Sequence, residues 1–398
     1  MMDINPRLIF LIVFVGILSA LMYKDRKNVN RVSILFYRRT KRGLDLIDRI
    51  AKKAPRFWKA YGWAGFGVGV ISVFVAVQQI GSSLLRIGSS TGGSTAGPKA
   101  VLPGLGAEAS INGPAFFIPV EYWIISIGVL MFVHEMSHGI VARAEDFELN
   151  SVGWIVLGII PGAFVEPKGE KMLPNGDGEQ EVDGEHHGMW DQGNWKSRIK
   201  VLSAGSFANY LTAILFIVLA IGLATATTDV AGLNYQAQEG YPAYESGMRN
   251  GTLYEINNHT IDSPESMNEA TDSIQANDTV RLSTSEGNFT LTATEREGFE
   301  GGYIGLGFTG QSIEYNESVE NYSGFLSWFT GLLEMIAILN IGIGLFNMLP
   351  AKPLDGGHIL GVFVEQFTGE ENMKYVNAFS MAVWALIISS FVYLIFLA

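Results

Sequence analysis

The sequence predicts an α-helical integral membrane protein with about six transmembrane helices and one inserted extracytoplasmic α+β domain. Three observations carry that expectation. The 398 residues are 48% hydrophobic and only 17% charged, with a mean hydropathy of +0.23. Several apolar runs exceed the roughly 18 residues that read as a bilayer span. An acid-rich stretch lacking any such run separates two of them.

The first run, Arg7 to Tyr23, has no small-residue cleavage site and is followed by a dense basic stretch, so it reads as a retained anchor helix. Between Lys24 and Lys59 there are 13 Lys or Arg against Asp25, Asp45 and Asp48, a bias that assigns this loop to the cytoplasmic side. Beside a membrane helix the same charges argue against a nucleic-acid patch, and no nucleic-acid partner is expected. Further spans are expected at Ala60 to Ile80, Tyr122 to Arg143, Ile199 to Ala226, Phe325 to Leu349 and Val376 to Leu397. Alternation from the basic loop places both termini and the segment Thr227 to Gly324 outside.

That external segment contains Asn-x-Ser/Thr sequons beginning at Asn250, Asn258, Asn277, Asn288, Asn316 and Asn321, and from Asp229 to Glu320 it has no Lys. Its pattern is that of a small folded domain. A strand is expected at Thr252 to Ile256, and Ser263-Pro264 opens a helix to about Ala276. Strands at Thr279 to Ser285 and Asn288 to Ala293 face each other across Glu286-Gly287. Gly81 to Gly97 and Lys168 to Asn194 read as flexible loops. Ser151 to Phe164 is apolar but broken by Gly153, Gly158 and Pro161-Gly162, which suggests a re-entrant or hairpin-like segment.

The chemistry concentrates in His134-Glu135-Met136-Ser137-His138, inside an expected span. Imidazoles four positions apart project from one helix face at a separation that one metal ion bridges, with Glu135 alongside. An acid near the middle of a membrane helix costs about 2.5–3.5 kcal/mol, so the cluster needs a compensating ligand or role. With no cysteine in the chain, zinc must be held by His and carboxylate, and two His leave a catalytic site one ligand short. Asp355 is the best third ligand, because Pro350 and Pro353 interrupt the helix just before it. A helix cap before Gly356-Gly357 is the competing reading of Asp355. His358, His186, His187 and His259 are weaker ligand candidates.

On these motifs the chain resembles the site-2 protease family of intramembrane metalloproteases, over roughly Val101 to Gly357. The matching parts are His134-Glu135-x-x-His138-Gly139, Asn347-x-x-Pro350 followed by Leu354-Asp355-Gly356, and Ala204-Gly205-Ser206-Phe-Ala-Asn209. Val101-Leu-Pro103-Gly104 and Gly162-Ala-Phe164-Val165-Glu166 also look like family segments. The resemblance implies zinc ligands at His134, His138 and Asp355, a general base at Glu135, and substrate contacts at Asn347, Pro350 and Asn209. It also likens Asp229 to Thr309 to a single PDZ domain. The basic segment and the span before the core are additions to the minimal fold. Lack of a cysteine-rich insert favours a prokaryotic, archaeal version.

The expected organisation is an anchor helix and basic loop (1–60), a second span with its external loop (61–120) and a first catalytic part (121–226). The PDZ-like domain (227–312), a second catalytic part (313–358) and a C-terminal transmembrane helix (359–398) follow. The expected function is hydrolysis of peptide bonds in or near transmembrane segments of membrane-protein substrates, within the lipid bilayer and toward its cytoplasmic side. A non-proteolytic transporter or chaperone using the metal structurally is the alternative, and Glu135 argues against it. Because a helical peptide bond is shielded, the Val152 to Phe164 hairpin is expected to offer a strand edge to an unwound substrate.

Overall fold

Hydrocarbon leaves an apolar chain segment no partner for its backbone except itself, so it must become helix. A computed structural model describes residues 5–87, 100–106, 110–112, 115–169, 190 and 193–396. Among these, five helices are long and apolar enough to cross a membrane: Pro6–Lys24, Pro55–Ser82, Val120–Ala144, Trp195–Thr227 and Glu320–Asn347. The chain is a multi-pass membrane protein. A sixth helix, Met373–Phe396, occupies the last expected span.

In chain order, α1 (Pro6–Lys24) leads to strands β1 (Val29–Val32) and β2 (Leu35–Thr40), then α2 (Leu44–Lys53) and α3 (Pro55–Ile87). Strands β3 (Ala100–Gly104), β4 (Ser110–Asn112) and β5 (Ala115–Pro119) form a small sheet ahead of α4 (Val120–Ala144). The hairpin β6 (Leu149–Leu157) and β7 (Ile160–Pro167) precedes α5 (Trp195–Thr227). The basic segment, expected as a loop, is therefore folded. Strand β2 pairs antiparallel with β6, from Leu35 opposite Leu157 to Thr40 opposite Val152, and the sheet order is β1-β2-β6-β7. Side chains of β2 explain the pairing. Tyr37 is fully buried, and Arg39 reaches the buried carboxylate of Glu166 on β7 at 3.1 Å.

Helix α3 also departs from expectation, continuing to Ile87 through the start of the expected Gly81 to Gly97 loop. Leu84, Leu85 and Ile87 prolong the apolar run, and Ser82 Oγ donates to the Gln79 carbonyl. Residues 88–97 lie outside the described residues, as does most of the expected 168–194 loop.

Two compact units emerge, 1–219 with 331–398, and 220–330. The first takes its centre from Val141, Phe147, Ile199, Leu202, Met348 and Ile359, which join α4 and α5 to the turn that follows α8 (Ser323–Asn347) and to α9 (Asp355–Thr368). The lipid-facing character is equally plain: Ile214, Leu215, Val218 and Ile221 of α5 are exposed, while Ser206 and Asn209 of the same helix are buried. α10 (Met373–Phe396) completes this unit.

The second unit is an α+β domain. Strands β8 (Thr228–Ala237), β9 (Asn250–Ile256), β10 (His259–Thr260), β11 (Thr279–Thr284), β12 (Gly287–Thr292) and β15 (Leu306–Tyr315) make one sheet, in the order β12-β11-β9-β8-β15 with β10 on β9. Strands β13 (Thr294–Arg296) and β14 (Phe299–Tyr303) pair separately, and α6 (Pro242–Glu245) is a single turn. Helix α7 (Pro264–Thr271) opens as expected, with Ser263 and Ser266 exchanging a capping box. It ends before Ala276, because Asp278 Oδ2 takes the Gln275 N–H into a turn. Tyr235, Met248, Leu253 and Leu282 fill the core. Burial and a 2.7 Å hydrogen bond to Glu286 push the Tyr235 phenol up to about 12.

Candidate metal centre

Helix α4 carries His134 and His138 on adjacent turns, with ring centroids 4.5 Å apart. Two contacts with α5 fix the rotation of this segment: Ser137 Oγ donates to the Ala204 carbonyl at 2.9 Å, and His138 Nδ1 lies 2.7 Å from the Val201 carbonyl. A carbonyl can only accept, so Nδ1 of His138 carries the proton and its Nε2 lone pair is free. The two Nε2 atoms are 3.0 Å apart.

Asp355 completes the cluster from a residue more than 200 positions away. Its Oδ2 lies 3.3 Å from His134 Nε2 and 3.5 Å from His138 Nε2. Leu354 is the N-cap of α9 and Asp355 its first residue, so the carboxylate is not spent capping the helix. The turn that delivers it is tight. A Cβ on Gly356 would lie 2.1 Å from the Met348 carbonyl oxygen, so only glycine lets α9 start beneath that turn. Pro350 lies in this turn. Helix α10 holds it from outside, with Lys352 N–H on Ser380 Oγ at 3.0 Å and Trp384 Nε1 donating to the Lys352 carbonyl at 2.8 Å.

One ligand atom from each of His134, His138 and Asp355 falls within 4.8 Å of the other two. Asp355 Oδ2 is buried and has no hydrogen-bond partner, an arrangement that is costly unless a cation sits against it. Two imidazole nitrogens and one carboxylate oxygen are the donor set of a three-ligand catalytic zinc site. The residues present therefore fit a zinc ion.

Around these three, Glu135 Oε2 accepts the Val165 N–H of β7 at 3.1 Å. Asn347 Nδ2 stands 3.3 Å from His134 Nε2, on the side of the ring that faces Asp355. Asn209 is fully buried and reaches the opposite ring nitrogen, with Nδ2 3.3 Å from His134 Nδ1. Its Oδ1 has no partner. Of the other histidines, His259 lies on β10 in the second unit, and His186 and His187 fall outside the described residues. His358 follows Asp355 by three residues on α9 and is not in the cluster.

Sequence reasoning missed two features. Gly205, quoted only within a motif, is where α5 meets the cluster: a Cβ there would lie 2.3 Å from His138 Nε2 and 2.6 Å from His134 Cε1. Glu166 is the other; 4% exposed, it accepts from Arg39 Nε, Asn150 Nδ2 and Ser151 Oγ, locking the hairpin that holds Glu135. A buried acid with this many donors leaves no signature in local sequence, since Arg39 is 127 residues away.

Comparison with known proteins agrees with the geometry. The model of peptidase family M50 matches residues 122–390. An uncharacterized protein of Methanocaldococcus jannaschii is 26% identical over 411 residues, covering 98% of this chain and 99% of that one. A predicted zinc metalloprotease of Clostridium perfringens is 24% identical, covering 65% of this chain and 92% of its own. The protease RseP of Photorhabdus luminescens is 34% identical over 56 residues, 14% of this chain and 25% of that one.

Proposed function

The chain belongs to peptidase family M50, the site-2 proteases, and is a metalloendopeptidase of that type; on that premise we propose that it cleaves membrane proteins in or beside their transmembrane segments. The observation that carries the reading is the Asp355 Oδ2 without a hydrogen-bond partner, converging with the Nε2 atoms of His134 and His138, all inside a bundle of apolar helices.

His134, His138 and Asp355 would hold the zinc, which when bound supplies Lewis acidity toward a water and a peptide carbonyl oxygen. Glu135 is the general base. Its carboxylate sits beside the ligands without joining them, with one oxygen anchored on Val165 N–H, so the other is free to take a proton from the attacking water. The same carboxyl then returns that proton to the leaving nitrogen. Asn347 Nδ2, near the metal side of His134, is placed to donate to the carbonyl oxygen as it gains charge. Pro350 holds the Asp355 turn in shape.

Asn209 works behind the ring. Once Nε2 of His134 is committed to metal, Nδ1 carries the proton, and Asn209 must present Oδ1 to it. That orientation also gives the buried Oδ1 the partner it otherwise lacks. Asn209 is thus a positioning residue for His134, as the Val201 carbonyl is for His138.

Strand β7 ends its sheet, and its Val165 touches Glu135, so an extended substrate added along β7 would pass the metal ligands. In the second unit, which we read as a PDZ-like domain on the extracytoplasmic side, a cavity of about 330 Å³ opens between α7 and the edge strand β15, lined by Leu233, Met267, Phe308 and Gln311. It suits an extended segment of a substrate's external part. The acid-rich composition of this unit and the Lys/Arg-rich segment 24–59 support placing them on opposite sides of the membrane, with the active site toward the basic one.

Glu135→Gln separates the steps. In purified protein it should retain about one zinc per chain, like wild type, while cleavage of a reconstituted transmembrane reporter falls by at least about 10³-fold. Absence of stoichiometric zinc in wild type, or cleavage by the variant at near wild-type rate, refutes the reading.

A further inference from the structure

Between α1 and α3 the chain has to run along a membrane surface, and α2 is its helical part. One face of α2 is committed to the protein. Ile47 and Ala51 are fully buried, and Ile47 Cδ1 comes close enough to Gly139, the neighbour of His138, that a Cβ there would sit 3.2 Å away. Asp48 accepts from the Arg143 guanidinium at the end of α4, with Nη2 at 3.0 Å. Arg143 holds the Asp48 carboxyl below the usual carboxylate range.

The opposite face is different. Leu46, Arg49 and Lys53, spaced three and four apart, share one exposed stripe, and Leu46 is 49% exposed. Arg42 precedes the helix, and Arg56 with the 59%-exposed Phe57 follows it. Among the described residues Arg42, Arg49, Lys53 and Arg56 have no ion-pair partner, while the acids nearest them in sequence are Asp45 and the committed Asp48. The chain as a whole carries a net charge of −12, so this basic stripe runs against its composition.

We propose that the outer face of α2 is a seat for anionic lipid headgroups, with Arg42, Arg49, Lys53 and Arg56 at the level of the headgroup charge and Leu46 and Phe57 entering the acyl boundary. Long cationic stems beside large apolar side chains are what an interfacial helix needs. The flanking membrane helices hold this face where headgroups are, so lipid meets it at a far higher local concentration than any soluble acidic partner. The proposal rests on the multi-pass reading.

The chain has no cysteine, so Leu46→Cys gives a single attachment point for a polarity-sensitive fluorophore on the full-length protein. In nanodiscs of phosphatidylcholine containing phosphatidylglycerol, the emission should shift to the blue and quenching by aqueous iodide should fall several-fold relative to phosphatidylcholine alone. The difference should shrink in high salt and vanish when Arg49→Gln and Lys53→Gln are added, with zinc content unchanged. Equal emission in both lipids, or a lipid response that survives neutralisation, overturns the proposal. If the labelled variant does not fold, the same probe at Phe57→Cys replaces it. Failure to incorporate into nanodiscs at all would instead strike the multi-pass reading.

Discussion

Gly205→Ala is the sharpest test of the metal centre, because the structure sets its size in advance. The added Cβ would lie 2.3 Å from His138 Nε2 and 2.6 Å from His134 Cε1. Non-bonded heavy atoms settle at about 3.5 Å, so either the imidazoles or helix α5 must give way by about 1 Å. His138 cannot move freely, since its Nδ1 is held by the Val201 carbonyl on the same helix. Displacement of a reacting group by about 1 Å costs on the order of 10²-fold in rate, or about 2.7 kcal/mol of transition-state stabilisation. Intrinsic helix propensity pushes the other way, favouring Ala by about 1 kcal/mol. Forcing that contact costs about 1–3 kcal/mol of packing, which offsets the propensity gain, so the variant should fold no better than wild type by thermal unfolding in detergent, lose zinc affinity in chelator competition and cleave the reporter about 10²-fold more slowly. Wild-type zinc affinity together with turnover within about twofold of wild type would refute the placement of α5 against the ligands.

Two further outcomes follow from groups nearby. Asn209→Asp should keep zinc affinity, since its carboxylate still accepts from His134 Nδ1, whereas Asn209→Leu should weaken it by about 10–100-fold in chelator competition; equal affinities would remove the positioning role. For Asp48, a carboxyl lowered by Arg143 stabilises the seat of α2 above the ordinary carboxylate value of about 4 and loses that contribution as pH falls through its lowered folded value. Protection factors over residues 44–53, which correct for the slower intrinsic exchange in acid, should fall on acidification in wild type more than in Asp48→Asn, where the pH-dependent part is absent.

The proposed metal ligands were legible because helical periodicity is local: His134 and His138 share a face by spacing alone, and a span that tolerates an acid points to a function. Asp355 was legible as a ligand candidate because Pro350 and Pro353 mark a broken helix, but the cap alternative needed coordinates, which put Leu354 at the cap. The hairpin of β6 and β7 followed from its glycines and proline. What escaped was long-range. Phe36-Tyr37-Arg38-Arg39 reads as part of a charged loop until β6 lies beside it, more than 100 residues on, and its pairing in the sheet has no local trace. Helix lengths escaped for another reason. Hydropathy marks the stretch inside lipid, whereas α3 and α5 each run 33 residues and continue past it on backbone hydrogen bonds that water does not interrupt.

Helix α10 grips both backbone polar groups of Lys352, three residues ahead of Asp355. Synthesis runs from the His pair past Asp355 to Trp384, so on the proposed ligand set a nascent chain has its base and two ligands long before the third is clamped in place. The clamp on the Asp355 turn is thus complete only once α10 has been made and packed against Lys352.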